Sequence, residues 1–167
     1  MSMLEAKTED LFSEVLRKTG YTKENGVSVE RQACSIEDID YCFRNASKTE
    51  GSNRKGYPDF IVTNKTYPGI VMVVECKASN ADHKQAIMEV NHYGQYLYKK
   101  YDVIIVAVSG TTEKTLEIDT AIVRKDMSVV LTKNTPTFDS KKILTLDTYE
   151  KFIGYTARVE QGILESM

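Results

Sequence analysis

Between Ile70 and Val74 the chain reads Ile-Val-Met-Val-Val, with no polar residue to interrupt it. Side chains of a strand alternate between the two faces of its sheet, so a run without alternation is dry on both faces. Such a strand has to lie inside a sheet that carries helices above and below. Val103 to Val108 has the same character and reads as a second buried strand. Thr115 to Val123 alternates instead, as half-exposed strands do, and so does a short stretch near Val27 to Arg31. Pro58 to Thr63 is one more strand, joined to Gly69–Lys77 by a turn through Lys65, Tyr67 and Pro68. Ser128 to Thr132 is a further candidate.

Helices fill the intervals. Met3 to Lys18 carries an apolar stripe of Leu4, Leu11, Phe12, Val15 and Leu16, and Gly20 supplies its stop. Ser35 is read as the cap of a second helix in which Ile36, Ile39, Phe43 and Ala46 keep helical spacing. Asp82 to Lys100 is a third, and Asp147 with Glu150 is a capping-box signature for a last one running to Met167. The order predicts an α/β fold with a mixed central β-sheet flanked by helices. At 167 residues the chain suits one main domain. It is read as 1–145, followed by a C-terminal helix, 146–167, whose apolar residues suit packing against a further domain.

Composition narrows the function classes. A charged fraction of 28% with a net charge of −2 means that a nucleic-acid enzyme with this sequence concentrates its positive charge locally. No apolar run approaches a membrane span and no signal-peptide pattern opens the chain, so the expected location is cytoplasmic. Cys34, Cys42 and Cys76 form no CxxC pair, which argues against a zinc site or a disulfide framework. No Gly-rich loop ending in Lys-Ser/Thr appears, and this disfavours ATP hydrolysis. His83 and His92 flank one helix without converging on a nucleophile, and are read as surface or half-buried imidazoles.

The chemistry is concentrated in GYPDFIVTNKTYPGIVMVVECKAS. Asp59 begins one strand, and Glu75 and Lys77 end the next; in a hairpin those ends are neighbours. Glu75 and Lys77 are two apart and share a face, and Asp59 joins them only if the register sets it opposite Glu75. Two acids and a lysine at the ends of apolar strands allow a salt bridge at a sheet edge. They also allow Asp59 and Glu75 to hold a hard divalent cation, with Lys77 aimed at a nucleophile.

With Pro58-Asp59, a spacer, and Glu75-Cys76-Lys77 at the end of an apolar strand, the segment resembles the PD-(D/E)XK nuclease superfamily. The resemblance runs from about Thr8 to Gly110. It is nearest to the N-terminal nuclease domain of restriction–modification polypeptides that also carry an N6-adenine methyltransferase. The similar features are the basic, Gly-bounded loop before PDF, the VVECKAS strand, the VNHYGQYL helix and the VIIVAVSG strand. It implies a restriction-endonuclease-like core and cleavage of double-stranded DNA with Mg²⁺, for which Mn²⁺ can substitute. It further implies methyltransferase and target-recognition domains on the same or an associated chain, and dimerisation for double-strand cuts. A repair or junction-resolving nuclease of the same fold, and a non-catalytic DNA-binding module, are the alternatives.

The resemblance assigns the metal to Asp59, Glu75 and the main-chain carbonyl of Cys76, and places an additional acid on the first helix. Glu5, Glu9 and Glu14 are the candidates. At about 100° per residue, Glu9 lies on the inward stripe with Phe12 and Leu16, Glu14 points away, and Glu5 sits nearer the fraying end. Glu9 is the choice. The superfamily often carries Gln and, four residues on, Tyr after the catalytic strand; here Gln85 stands with Glu89 in the Tyr position. Gln85 is kept as a contact to the active-site face, and Tyr93 is read as packing. Arg54 and Lys55, in the loop leading into the catalytic strand, are candidate DNA contacts.

Overall fold

The computed structural model describes residues 3–123 and 125. The candidate strand at Ser128 to Thr132 and the C-terminal helix lie outside the described residues. Five strands form one sheet in the order of the sequence: β1 (Val27–Arg31), β2 (Phe60–Asn64), β3 (Ile70–Lys77), β4 (Asp102–Ser109) and β5 (Glu117–Val123). β3 and β4 run parallel while every other neighbouring pair is antiparallel, so the sheet is mixed. The parallel pair needs a crossover, and helix α3 (His83–Gly94) supplies it.

The doubly apolar run makes β3 the middle strand. Met72, Val74 and Cys76 pack on one face with Phe60, Val106 and Phe12 and Leu16 of helix α1 (Met3–Lys18). Val71 and Val73 pack on the other face with Ile61, Ile105, and Ala86 and Val90 of α3. Helix α2 (Glu37–Cys42) adds Ile39 to this second layer, and Phe43 and Ala46 follow it.

α1 ends as its glycine dictates. Gly20 takes φ 100°, the Tyr21 amide donates to the Leu16 carbonyl at 2.9 Å and the Gly20 amide to Arg17 at 3.2 Å. Both carbonyls would otherwise be left open at the helix end, and buried Tyr21 closes the apolar contact with Leu16.

Three local expectations are corrected. Leu4 is exposed, because α1 meets the sheet only from Thr8 onward, where the Thr8 hydroxyl donates to the Gly110 carbonyl at 2.7 Å. Ser35 does not cap α2: its amide and hydroxyl are bound by the Glu30 carboxylate at 3.0 and 3.1 Å. Ile36 takes the cap position and is exposed, and the helix has only six residues. α3 stops at Gly94, a residue that favours helix poorly, and the chain continues to Lys100 as turns that still bury Leu97 and Tyr98.

Candidate active site

Antiparallel pairing matches Phe60 with Val74, so one step outward sets Asp59 opposite Glu75. The hydrogen bonds agree with that register. The Asp59 amide donates to Glu75 Oε1 at 2.9 Å, and the Cys76 amide donates to Asp59 Oδ2 at 2.8 Å. Each acid is thus held by the main chain of the other's strand. Gln32, just past β1, braces Asp59 from the far side: its amide donates to the Asp59 carbonyl at 3.2 Å and its carboxamide to Oδ1 at 3.4 Å. Gln32 adopts φ 49°, a left-handed conformation that costs a non-glycine residue roughly 1 kcal/mol.

Glu75 is 1% exposed. Burial, and then the charge of Asp59, push its carboxyl up to about 8 from its ordinary 4.5. It shares a hydrogen bond with Glu89 of α3. Burial also disfavours ionised Glu89, yet the hydrogen bonds from Lys77 and Glu75 and the charge of Lys48 hold its carboxyl below the usual range. Of the two acids, Glu75 is the one whose ionisation its surroundings oppose.

Lys77 lies on the same side of β3 as Glu75, and its ammonium meets Glu89 at 2.9 Å. Lys48 reaches in from the loop after α2, with its ammonium 3.4 Å from both Glu75 and Glu89. Burial opposes its charge, but the two acids outweigh that and raise its pKa. The alternation that brings Glu75 and Lys77 to α3 sends the Cys76 thiol into the opposite core, where burial drives its pKa well up.

Glu9 approaches from the α1 side. It is 1% exposed, and its Oε1 has no hydrogen-bond partner among the described residues. Burial, then the charge of Asp59, raise it to about 7. Glu14 instead faces solvent and pairs with Arg17 at 2.8 Å, as the helix geometry predicts.

Among the DNA-contact candidates, Gln85 reaches the site only through Glu89, to which its carboxamide donates at 3.2 Å. Lys55 is turned to Asp40 at 2.6 Å, and Arg54 is exposed in the same loop. Tyr93 packs edge-on against Phe43, and its hydroxyl is raised to about 12 by burial and the nearby charge of Glu75. Lys48, Glu89 and Gln32 were not among the residues the sequence singled out for the site. A signal existed for Glu89: an acid one turn after Gln85 and one turn before buried Tyr93 stands where helical spacing predicts contact with the sheet.

His83 corrects the expectation of a surface or half-buried imidazole. It is buried at the start of α3, with Nδ1 2.7 Å from Ser109 Oγ and Nε2 2.7 Å from Asp119. The order Ser–His–Asp looks like a nucleophilic triad, but Ser109 is 0% exposed and also accepts from Asn80 at 2.8 Å. No substrate reaches that hydroxyl, so the chain of bonds ties α3 to β4 and β5. His92 is half-buried and bonds the Ala46 carbonyl at 2.8 Å.

Among the described residues, no group of three His, Cys, Asp and Glu side chains is arranged to hold a metal ion. None of the described helices is long and apolar enough to cross a membrane. No family model matches the chain, and neither curated proteins nor solved structures provide a match.

Proposed function

We propose that the chain is a divalent-metal-dependent endonuclease of the PD-(D/E)XK type, cutting double-stranded DNA as the cleavage module of a restriction–modification enzyme. The observation that carries this reading is the reciprocal bonding of Asp59 and Glu75 at the joined ends of β2 and β3, with Lys77 two residues further on. A salt bridge at a sheet edge accounts for less. It leaves unexplained why two acids are held together with one of them fully buried, an arrangement that costs stability unless a cation is to be received.

The donor set fits a hard ion. Asp59, Glu75 and the Cys76 carbonyl would hold Mg²⁺ or Mn²⁺, since Mg²⁺ needs only one or two carboxylates and keeps several waters. When bound, the ion supplies Lewis-acid stabilisation of a phosphoryl oxygen and a more acidic water. The remaining work falls to the protein. Glu89 fixes the Lys77 ammonium on the face where Glu75 lies, so Lys77 orients the attacking water and stabilises the charge that develops on the phosphate. Glu9, near Asp59 and with one oxygen unpartnered among the described residues, would take up a second water or ion. By resemblance the products carry a 5′-phosphate and a 3′-hydroxyl. Methyltransferase and target-recognition domains, on the same or an associated chain, locate the cut in this reading, and dimerisation gives double-strand cleavage.

The test is supercoiled plasmid incubated with the purified chain in Mg²⁺, Mn²⁺ or EDTA. Nicking that requires the metal, and that Lys77→Ala lacks while retaining the wild-type circular dichroism spectrum, is the expected result. Equal cutting by Lys77→Ala, or cutting that survives EDTA, refutes the mechanism.

A further inference from the structure

Two lysines meet the acids of the site, and the structure treats them differently. Lys77 is 14% exposed and sits 2.9 Å from Glu89, the length of a fully formed charge-assisted bond. Lys48 is 43% exposed, and both of its contacts are long, at 3.4 Å. Its ammonium stands at the solvent side of the buried Glu75 carboxyl group, held by attraction to the acid pair rather than by a close hydrogen bond.

The base of its loop is fixed even though the ammonium is not. The Ser47 amide donates to the Arg54 carbonyl at 3.0 Å, and the Gly56 amide to the Phe43 carbonyl at 3.2 Å. The two arms touch where Gly56 passes Ser47: a Cβ added at Gly56 would lie 2.6 Å from the Ser47 Cα. Lys48 therefore projects from an anchored point beside the acids, and only its side chain has to move.

We infer that Lys48 is a phosphate-binding residue of the site, released by the metal ion to contact a non-bridging oxygen of the DNA backbone. This rests on the nuclease reading above. In the metal-free protein Lys48 lies against the Glu75–Glu89 acid pair, whose negative charge is its counter-ion. A divalent cation taken up by Glu75 and Asp59 sets two positive charges beside the ammonium, and their repulsion offsets the attraction that holds it there. An entering phosphodiester then offers the nearest negative charge, and a long side chain on a fixed base turns to it without rearranging the backbone. Lys77, held by Glu89, stays in place.

The contact is read from the salt dependence of DNA binding. Each neutralised phosphate contributes about 0.9 to the slope of log Kd against log salt. The full chain and a short fluorescent duplex are compared by anisotropy over a KCl series, in Ca²⁺ and in EDTA. In Ca²⁺ the slope should fall by about 0.9 in Lys48→Met, hold in Lys48→Arg and hold in Lys77→Met. In EDTA, Lys48→Met should match wild type. A wild-type slope for Lys48→Met in Ca²⁺, the same drop in EDTA as in Ca²⁺, or no binding by the wild type in Ca²⁺ overturns the inference. Cleavage of the same duplex in Mg²⁺ separates the two readings. The slope change without cleavage removes the nuclease and leaves the phosphate contact, and cleavage without the slope change does the reverse.

Discussion

Glu9→Gln offers a direct measure of what a buried acid beside Asp59 costs this fold. The Glu9 carboxyl is raised from 4.5 to about 7, by burial first and then by the charge of Asp59. At about 1.4 kcal/mol per tenfold change in proton affinity, ionised Glu9 costs the native state about 3 kcal/mol. Below pH 4.5 the group is protonated in both folded and unfolded chains, and the cost is absent. Between 4.5 and about 7 the unfolded chain releases its proton while the native one keeps it, so stability falls as pH rises; above about 7 the full cost is present. Glutamine has nearly the same shape and no charge. Its buried amide brings a separate penalty of about 1–3 kcal/mol if its N–H groups find no acceptor, but that penalty does not vary with pH. The difference in unfolding free energy between variant and wild type should therefore move by about 3 kcal/mol in favour of Gln between pH 4.5 and pH 8, whatever its absolute value. Urea denaturation in EDTA across that window measures it. Curves that stay parallel, with a change under about 1 kcal/mol, would show that Glu9 is not held in a charge-hostile site, and the electrostatic reading of α1 would fail.

Two further perturbations probe other parts of the site. Mg²⁺ or Mn²⁺ should raise the melting temperature, because an ion bound only by the native state adds about 1.4 kcal/mol at ten times its Kd; Glu75→Ala should remove the shift, and an equal shift in that variant would place the ion elsewhere. Gly56→Ala sets a methyl 2.6 Å from the Ser47 Cα, and overpacking of that kind costs about 1–3 kcal/mol. A thermal melt matching the wild type would refute the close contact at the loop base.

What the sequence made legible was set by how local each cause is. A dry run such as Ile70–Val74 admits only an interior strand, and once β2 and β3 are paired the alternation of side chains decides where Glu75, Cys76 and Lys77 point. Helical spacing likewise separated buried Glu9 from exposed Glu14. Ser35 failed as a cap because Glu30, five residues back and off the end of the helix, draws its hydroxyl away. Lys48 and Glu89 were out of reach for a related reason. Their positions depend on the loop after α2 reaching β3 and on α3 packing against β3, and a lysine in a polar loop looks the same from sequence whether or not an acid waits for it. The bonds of His83 with Ser109 and Asp119 join three separate elements, and no spacing rule connects them.

The hairpin that carries Asp59 and Glu75 cannot hold its own far end by its turn alone. The turn lies at one end and the acids at the other, with Thr63–Val71, Val62–Met72, Ile61–Val73 and Phe60–Val74 between them. The ties at the acid end come from outside the hairpin: Gln32, just past β1, bonds Asp59, and Glu75 and Lys77 keep register with Ala107 and Ser109 of β4. The spacing of the two acids is therefore a property of four strands together, and a change at either flanking strand reaches it.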